Sequence, residues 1–478
     1  MKNTRLSPLF SLVAVLLAPA PAVRPALAQG PSAPGSAAQE VPSVPVPVIV
    51  TDEPKRPSVT DLPIQAGLPD PLALAGGGRV TTAADWPQRR AEIEALLRYY
   101  AAGGAPPAPG NVEGRELRRV SLLDGDVEYR LVHLTFGPGD RLGFDLAVFV
   151  PTKRKGAVPT IVFPTFDATP GADVLPTMPR RPEQGQGKDS LRLPLGIPPD
   201  PALVKKVPLF DPAEAAVRYR KVFERGYALA MFHYQDCGED TIARNADGSW
   251  AFRNTRFFPA YPRHEWGLLA AWAWGMSRAI DYLETEPFVD RSAFVLVGHS
   301  RIGKAVLVAG ALDARIALVA PAGSAGGGVG AYRSSGAGRG GGEGFEDMLR
   351  KYPNWFSPHL ADFEGELERL PFDQHFFIAA TAPRRFLALE GTGDTICSPT
   401  AVRASLDGAR PVYALHGVTQ RMAVHYSEHA HALDAEDWEA LLDFADRELR
   451  GIATTRSFDN FPSSAPPAAI APLAESGP

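Results

Sequence analysis

Short, continuous apolar runs alternate with longer amphipathic stretches from Asp85 to Arg450. Tyr129–Phe136 and Phe144–Pro151 read as two strands joined through Gly137-Pro138-Gly139-Asp140. Pro159–Phe166, Tyr227–Tyr234, Ala293–Val297, Ile316–Ala320, Arg385–Glu390 and Met422–Tyr426 read as further buried strands. The stretches between them predict helices. The first, Asp85–Tyr100, has Asp85 at its cap and Pro87 in its first turn. Others are expected at 212–225, His264–Glu284, directly after Ser300, at Gln374–Ala382 and at 399–408. The last, Asp434–Arg450, opens on an aspartate cap and an acidic first turn. Strands alternating with helices predict an α/β class: a mostly parallel central sheet flanked by helices on both faces, a three-layer sandwich. Residues 167–211 are Pro-rich and read as an insertion, 235–263 as a polar loop and 323–344 as a glycine-rich loop. No internal repeat is visible.

The two ends depart from this pattern. Lys2 and Arg5 precede the apolar run Leu9–Leu17, and Ala26-Leu27-Ala28 is a small-x-small cleavage site. A signal peptide over 1–28 is expected, with export to the periplasm or extracellular space. The same run, broken by Pro19 and Pro21, is too short for a good membrane anchor. Residues 29–60 are rich in Pro and Ala and read as a disordered leader, and 451–478 as a disordered tail. A single domain over 61–450 lies between them.

Composition excludes some functions. The 478 residues carry a formal charge of −5. Removing Lys2, Arg5 and Arg24 with the leader makes the chain more acidic still, and no basic stripe suggests nucleic-acid binding. Only two cysteines occur, Cys237 and Cys397, in no metal-ligand spacing. The sequence leaves open whether they pair.

The chemistry-bearing residues cluster at the ends of expected strands. Gly298-His-Ser300-Arg-Ile-Gly303 follows Phe294-Val-Leu-Val297 and precedes a helix. It varies the G-x-S-x-G nucleophile elbow, with the second glycine one residue later. Small residues are needed there because the strand-to-helix turn is tight enough to strain the serine. Taken alone, the motif fits a helix-capping serine equally well. A serine nucleophile also needs a base and a group to hold that base, in the chain order Ser, acid, His for an α/β-hydrolase fold. Asp394, just past the strand Arg385–Glu390, is the expected acid, and a turn aspartate is the alternative. His431, before the final helix, is the expected base. His429 is its rival, and His425 is expected inside a strand. The spacing His425-x-x-x-His429-x-His431 could also hold zinc. No second ligand cluster accompanies it, so no metal and no cofactor are expected.

With these residues in place, the sequence resembles the glucuronoyl esterases, carbohydrate esterase family fifteen, in their bacterial form. The resemblance runs from Leu68 to Leu449. It is carried by Gly298-His-Ser-Arg-Ile-Gly-Lys304, by Glu265-Trp-Gly with Ala271–Glu284, and by Asn354-Trp-Phe356. Leu370-Pro-Phe-Asp-Gln-His375 and His431-Ala-Leu with Asp437-Trp438 add to it. It implies a serine carboxylesterase acting on 4-O-methyl-glucuronoyl esters of lignin–carbohydrate complexes. Carried over by position, Ser300 is the nucleophile, His431 the base and Arg301 part of the oxyanion hole. Lys304, and with it Glu343, would contact hydroxyls of the uronic acid.

Two departures from the family pattern matter. The family's early glutamate, in P-Q-E-S-G, is absent from Pro321-Ala-Gly323-Ser324. The triad therefore needs Asp394, where some bacterial members carry the acid. The sugar-contacting tryptophan of the later loop is Ile396 here. These departures keep two alternatives open: an acetyl or methyl esterase of another plant polysaccharide, and a non-catalytic carbohydrate-binding homologue. The expected partner is a plant polysaccharide or uronate ester, met by a monomeric chain with no membrane attachment once the leader is removed.

Overall fold

The computed structural model describes residues 57–65, 67–172, 210–337 and 341–463. The expected signal peptide, the bulk of the leader, the body of the 167–211 insertion and the end of the tail lie outside them. Nine strands among the described residues form one sheet: β1 (Glu113–Leu122), β2 (Val127–Phe136), β3 (Leu142–Pro151), β4 (Val158–Thr165), β5 (Ala228–His233), β6 (Val289–His299), β7 (Ile316–Ala322), β8 (Arg385–Gly391) and β9 (Met422–Ser427). Their spatial order is β1-β2-β3-β5-β4-β6-β7-β8-β9. The sheet is parallel from β5 to β9, and β1, β2 and β3 extend it antiparallel.

The helices are α1 (Trp86–Leu96), α2 (Pro212–Arg218), α3 (Arg220–Glu224), α4 (Leu268–Leu283), α5 (Arg301–Leu312), α6 (Phe345–Lys351), α7 (Pro358–Ala361), α8 (His375–Thr381), α9 (Pro399–Leu415) and α10 (Ala435–Arg450). Strand side chains alternate between faces, so neighbouring residues of β6 enter different cores. Phe294 and Leu296 pack with Trp272 of α4, Ile302 of α5 and Phe376 of α8. Val295 and Val297 pack with Ala216 of α2, Val222 of α3 and Leu441 of α10. This is the arrangement of an α/β-hydrolase. It explains why the strands read as unbroken apolar runs: both faces are covered.

The structure departs from the sequence reading at several points, each for a local reason. β1 was not expected. It is almost wholly exposed, and Glu116, Arg118 and Arg119 give it no apolar alternation. It is an edge strand, bulged between Glu116 and Arg118, and a charged, irregular edge resists pairing with a second chain. The helix expected at 212–225 breaks at Tyr219 into α2 and α3. The helix expected to end at Gly408 runs on to Leu415. A Cβ at Gly408 would lie 3.0 Å from the His375 ring, so this glycine serves close packing against α8 rather than termination. Asp85 does not cap α1, since it instead accepts from Thr82 Oγ1. The tail is not loose where it is described. Phe458 packs into the α10 face, Asp459 bridges Val424, and Asn460 exchanges hydrogen bonds with the Tyr426 backbone. It thereby covers the free edge of β9. Cys237 and Cys397 are both buried and unpaired.

Candidate active site

β6 ends at His299, and Ser300 turns the chain into α5 with φ 59° and ψ −126°. A positive φ at a non-glycine residue costs on the order of 1–3 kcal/mol and persists only where its surroundings hold it. Here the Ser300 N–H donates to Ala322 O at 2.9 Å, and the Lys304 N–H donates to Ser300 O at 3.1 Å. The two flanking glycines make room. A Cβ at Gly303 would lie 2.9 Å from Gly298 O and 3.0 Å from Ala322 O, and one at Gly298 would lie 2.7 Å from Ile302 Cγ2. Shifting the second glycine by one residue thus still lets α5 press against β6 and β7.

Ser300 Oγ is 2.8 Å from His431 Nε2, and His431 Nδ1 is 2.7 Å from Asp394 Oδ2. The three residues come from the ends of β6, β8 and β9. The loops that carry Asp394 and His431 brace each other. Thr392 N–H donates to Ser427 O, and Gly393 N–H to His429 O. Burial works to raise the Asp394 pKa, but the His431 imidazole and the Ile396 N–H outweigh it and hold the carboxylate below its usual range. Its side chain is almost wholly buried, whereas His431 remains about one-third exposed, at 33%.

The remaining candidates behave differently from one another. His429 does not face Ser300. Its Nε2 lies 3.0 Å from Asp437 Oδ2 and its Nδ1 2.7 Å from Ala430 O. His425 is buried in β9 beside Arg456. The three histidines considered as zinc ligands therefore point to three different partners. Lys304 is buried, donating to Ser324 O and, at 3.1 Å, to Glu343 Oε2. Arg301 occupies the first turn of α5. Its guanidinium lies 5.0 Å from the Trp355 ring centre and its Nη1 2.5 Å from Asp240 Oδ2.

A family model described as "Glucuronyl esterase, fungi" matches residues 206–417. A curated relative, Carbohydrate esterase MZ0003 from an unknown prokaryotic organism, is 28% identical over 406 residues, covering 80% of this chain and 90% of that protein. The 4-O-methyl-glucuronoyl methylesterase of Podospora anserina is 28% identical over 348 residues, covering 70% of this chain and 58% of that protein. A family 15 glucuronoyl esterase from Caldicellulosiruptor kristjansonii superposes with a TM-score of 0.61 at 28% identity, covering 86% of this chain and 96% of that one. These matches bear out the resemblance to the glucuronoyl esterases of carbohydrate esterase family 15.

The glutamate of the P-Q-E-S-G pattern is absent, and Gly323 stands at its place. A Cβ at Gly323 would lie 3.5 Å from Asp394 Oδ2 and 3.3 Å from the His299 ring. The carboxylate from β8 thus reaches the space beside the position where that glutamate would stand. Several residues of the site escaped the sequence reading. His299 lies against His431 at 4.5 Å between ring centres, and burial together with that neighbour pushes its pKa down to about 4. It therefore stays neutral beside His431. Glu390 is fully buried on β8, and no nitrogen or oxygen partner meets its carboxyl among the described residues. Burial, reinforced by Asp394, pushes its pKa up to about 8. Cys397 brings its thiol within 4.8 Å of both Asp394 and His431. Nothing marked Glu390 in the sequence, because it reads as the last residue of an apolar strand.

Proposed function

We propose that this chain hydrolyses esters of glucuronic acid, with 4-O-methyl-glucuronoyl esters of lignin–carbohydrate complexes as its substrates. The observation that carries the reading is the continuous relay from Ser300 Oγ through His431 to Asp394, with a guanidinium on the residue after the serine. His431 takes the Ser300 proton as Oγ attacks the ester carbonyl. Asp394 holds the imidazole in the tautomer whose Nε2 accepts that proton, and stabilises the imidazolium that forms. In this reading the backbone N–H of Arg301, at the first position of α5, and its guanidinium stabilise the developing oxyanion. His431 then protonates the leaving alcohol, and water activated by the same ring releases the uronic acid from Ser300.

Lys304 and Glu343 are the sugar-contacting pair in this reading. Their mutual ion pair, with Lys304 buried and Glu343 partly so, would hold each in place before a substrate arrives. The signal peptide over 1–28 and export from the cytoplasm belong to the same proposal.

Turnover of benzyl glucuronate by the wild-type chain and by Ser300→Ala tests it. The wild type is expected to release benzyl alcohol, and the variant to lose at least about three orders of magnitude in kcat. Equal rates would overturn the nucleophile assignment. Ile396, in place of the family's tryptophan, favours a second reading as an acetyl or methyl esterase. Parallel assays on acetylated xylan and methyl galacturonate separate the two.

A further inference from the structure

The polar stretch 235–263 has no part in the relay, yet it delivers a buried carboxylate to the residue beside the nucleophile. Asp240 is only 8% exposed in its side chain. Its Oδ2 accepts from Arg301 Nη1 at 2.5 Å and from the Tyr234 hydroxyl at 3.0 Å, and its Oδ1 accepts from Trp355 Nε1 at 2.8 Å. Both oxygens are therefore occupied, and each partner is itself fixed. Trp355 stacks on Tyr352 at 3.9 Å with the rings 5° apart, and Tyr234 packs edge-on to Trp272.

The turn that carries Asp240 is pinned from several sides. Asp240 N–H donates to Gln235 Oε1, Trp272 Nε1 donates to Gly238 O, and Asn354 Nδ2 donates to Thr241 O. Beneath it, Arg256 pairs with Asp236 at 3.2 Å and with Glu239 at 3.5 Å, all three being buried. This much anchoring exceeds what a surface loop needs for its own order.

We infer that Asp240 is a positioning residue for Arg301. It holds one edge of the guanidinium against Trp355, so that the remaining N–H groups point in a fixed direction beside Ser300. The physical reason is preorganisation. An arginine side chain has several rotatable bonds and, left unheld, would have to be ordered anew in each turnover. A charge-assisted hydrogen bond from a buried carboxylate fixes the fork before the oxyanion forms. Trp355 supplies a flat apolar wall that the guanidinium can lie upon without losing its in-plane donors. Tyr234 and Trp355 in turn fix the carboxylate.

The inference rests on Arg301 acting in ester hydrolysis, so its test is a double-mutant cycle on kcat. The proteins are the full chain, Asp240→Asn, Arg301→Gln and the double variant. The assay ester is benzyl glucuronate, or p-nitrophenyl acetate if the wild type does not turn over the first. Asp240→Asn is expected to lower kcat by about tenfold or more while KM moves by less than about threefold, because the contact is felt in the transition state. In the Arg301→Gln background the same substitution should change kcat by less than about twofold. Equal losses in both backgrounds, or an unchanged kcat, would overturn the proposal. Thermal melting identifies a variant that fails to fold. In that case Asp240→Glu, which keeps the charge and displaces it by one methylene, is carried through the same cycle with the same expected coupling. A wild-type chain inactive on both esters would remove the reading beneath the proposal, an outcome distinct from an active enzyme with additive effects.

Discussion

Asp394 Oδ2 lies 2.7 Å from His431 Nδ1, while its other oxygen accepts the Ile396 N–H at 3.0 Å. The carboxylate is thus held by its own loop on one side and holds the imidazole on the other. Asp394→Asn would keep the shape but can present an amide N–H to Nδ1, favouring the tautomer with the proton on Nε2. With that proton in place, Nε2 can no longer accept the proton of Ser300 Oγ. A loss of about 10³- to 10⁴-fold in kcat is expected, with KM little changed. Steady-state kinetics on benzyl glucuronate check this. A loss below about tenfold would mean that the acid is not Asp394.

The elbow depends on Gly303 more than on the spacing of the usual motif. An added Cβ there meets two backbone oxygens and Ser324 Cβ, all near 3 Å, and backbone gives way less easily than a side chain. Gly303→Ala is expected to cost about 1–3 kcal/mol of stability through overpacking. It should lower kcat as well, because α5 must move away from β6 and carry Arg301 with it. Denaturant melts and activity on the same preparation test both effects.

How far the site was legible follows from where its signals lie. Ser300 and His431 stand at the junction of an apolar strand or loop with a helix, and such junctions leave marks in the sequence: glycines at the elbow, and an aspartate cap at α10. Asp394 was readable from its place after β8. Asp240 was not, because a polar residue in a polar loop carries no sign of the buried arginine it will meet. β1 was missed for the opposite reason to Glu390. Its charges hid a strand, whereas the apolar neighbours of Glu390 hid a charge-bearing group. The reach of α9 past Gly408 depends on contact with His375, which no local pattern contains.

Glu390 gives a pH dependence of stability with a definite sign. Its folded-state pKa, about 8, lies above the ordinary carboxylate value of 4.5. Below 4.5 it is protonated whether the chain is folded or not, and it then opposes folding least. Between 4.5 and 8 the unfolded chain releases the proton while the folded chain keeps it, so stability falls as pH rises, and the loss is complete above the folded value. At pH 7 the loss amounts to at most about 3 kcal/mol. Glu390→Gln, which cannot ionise, should raise Tm over the wild type at pH 7.5 and give little gain at pH 4.5. An equal gain at both pH values would show that Glu390 is not held neutral by the fold.

Ile396 tests how much of the specificity resides in one side chain. Its backbone is committed: its N–H donates to Asp394 Oδ1 and its carbonyl accepts from Glu343 N–H at 3.0 Å. The side chain is only half-buried, so it can change without disturbing either partner. A tryptophan there would add a large flat surface and an indole N–H next to the acid and to Glu343, where the family places its sugar contact. Ile396→Trp is expected to lower KM for benzyl glucuronate by about three- to tenfold, the worth of one aromatic or hydrogen-bonding contact, with kcat nearly unchanged. It should leave KM for p-nitrophenyl acetate, which has no sugar ring, where it was. If KM for both esters moved together, the residue would be shaping the loop rather than reading the sugar.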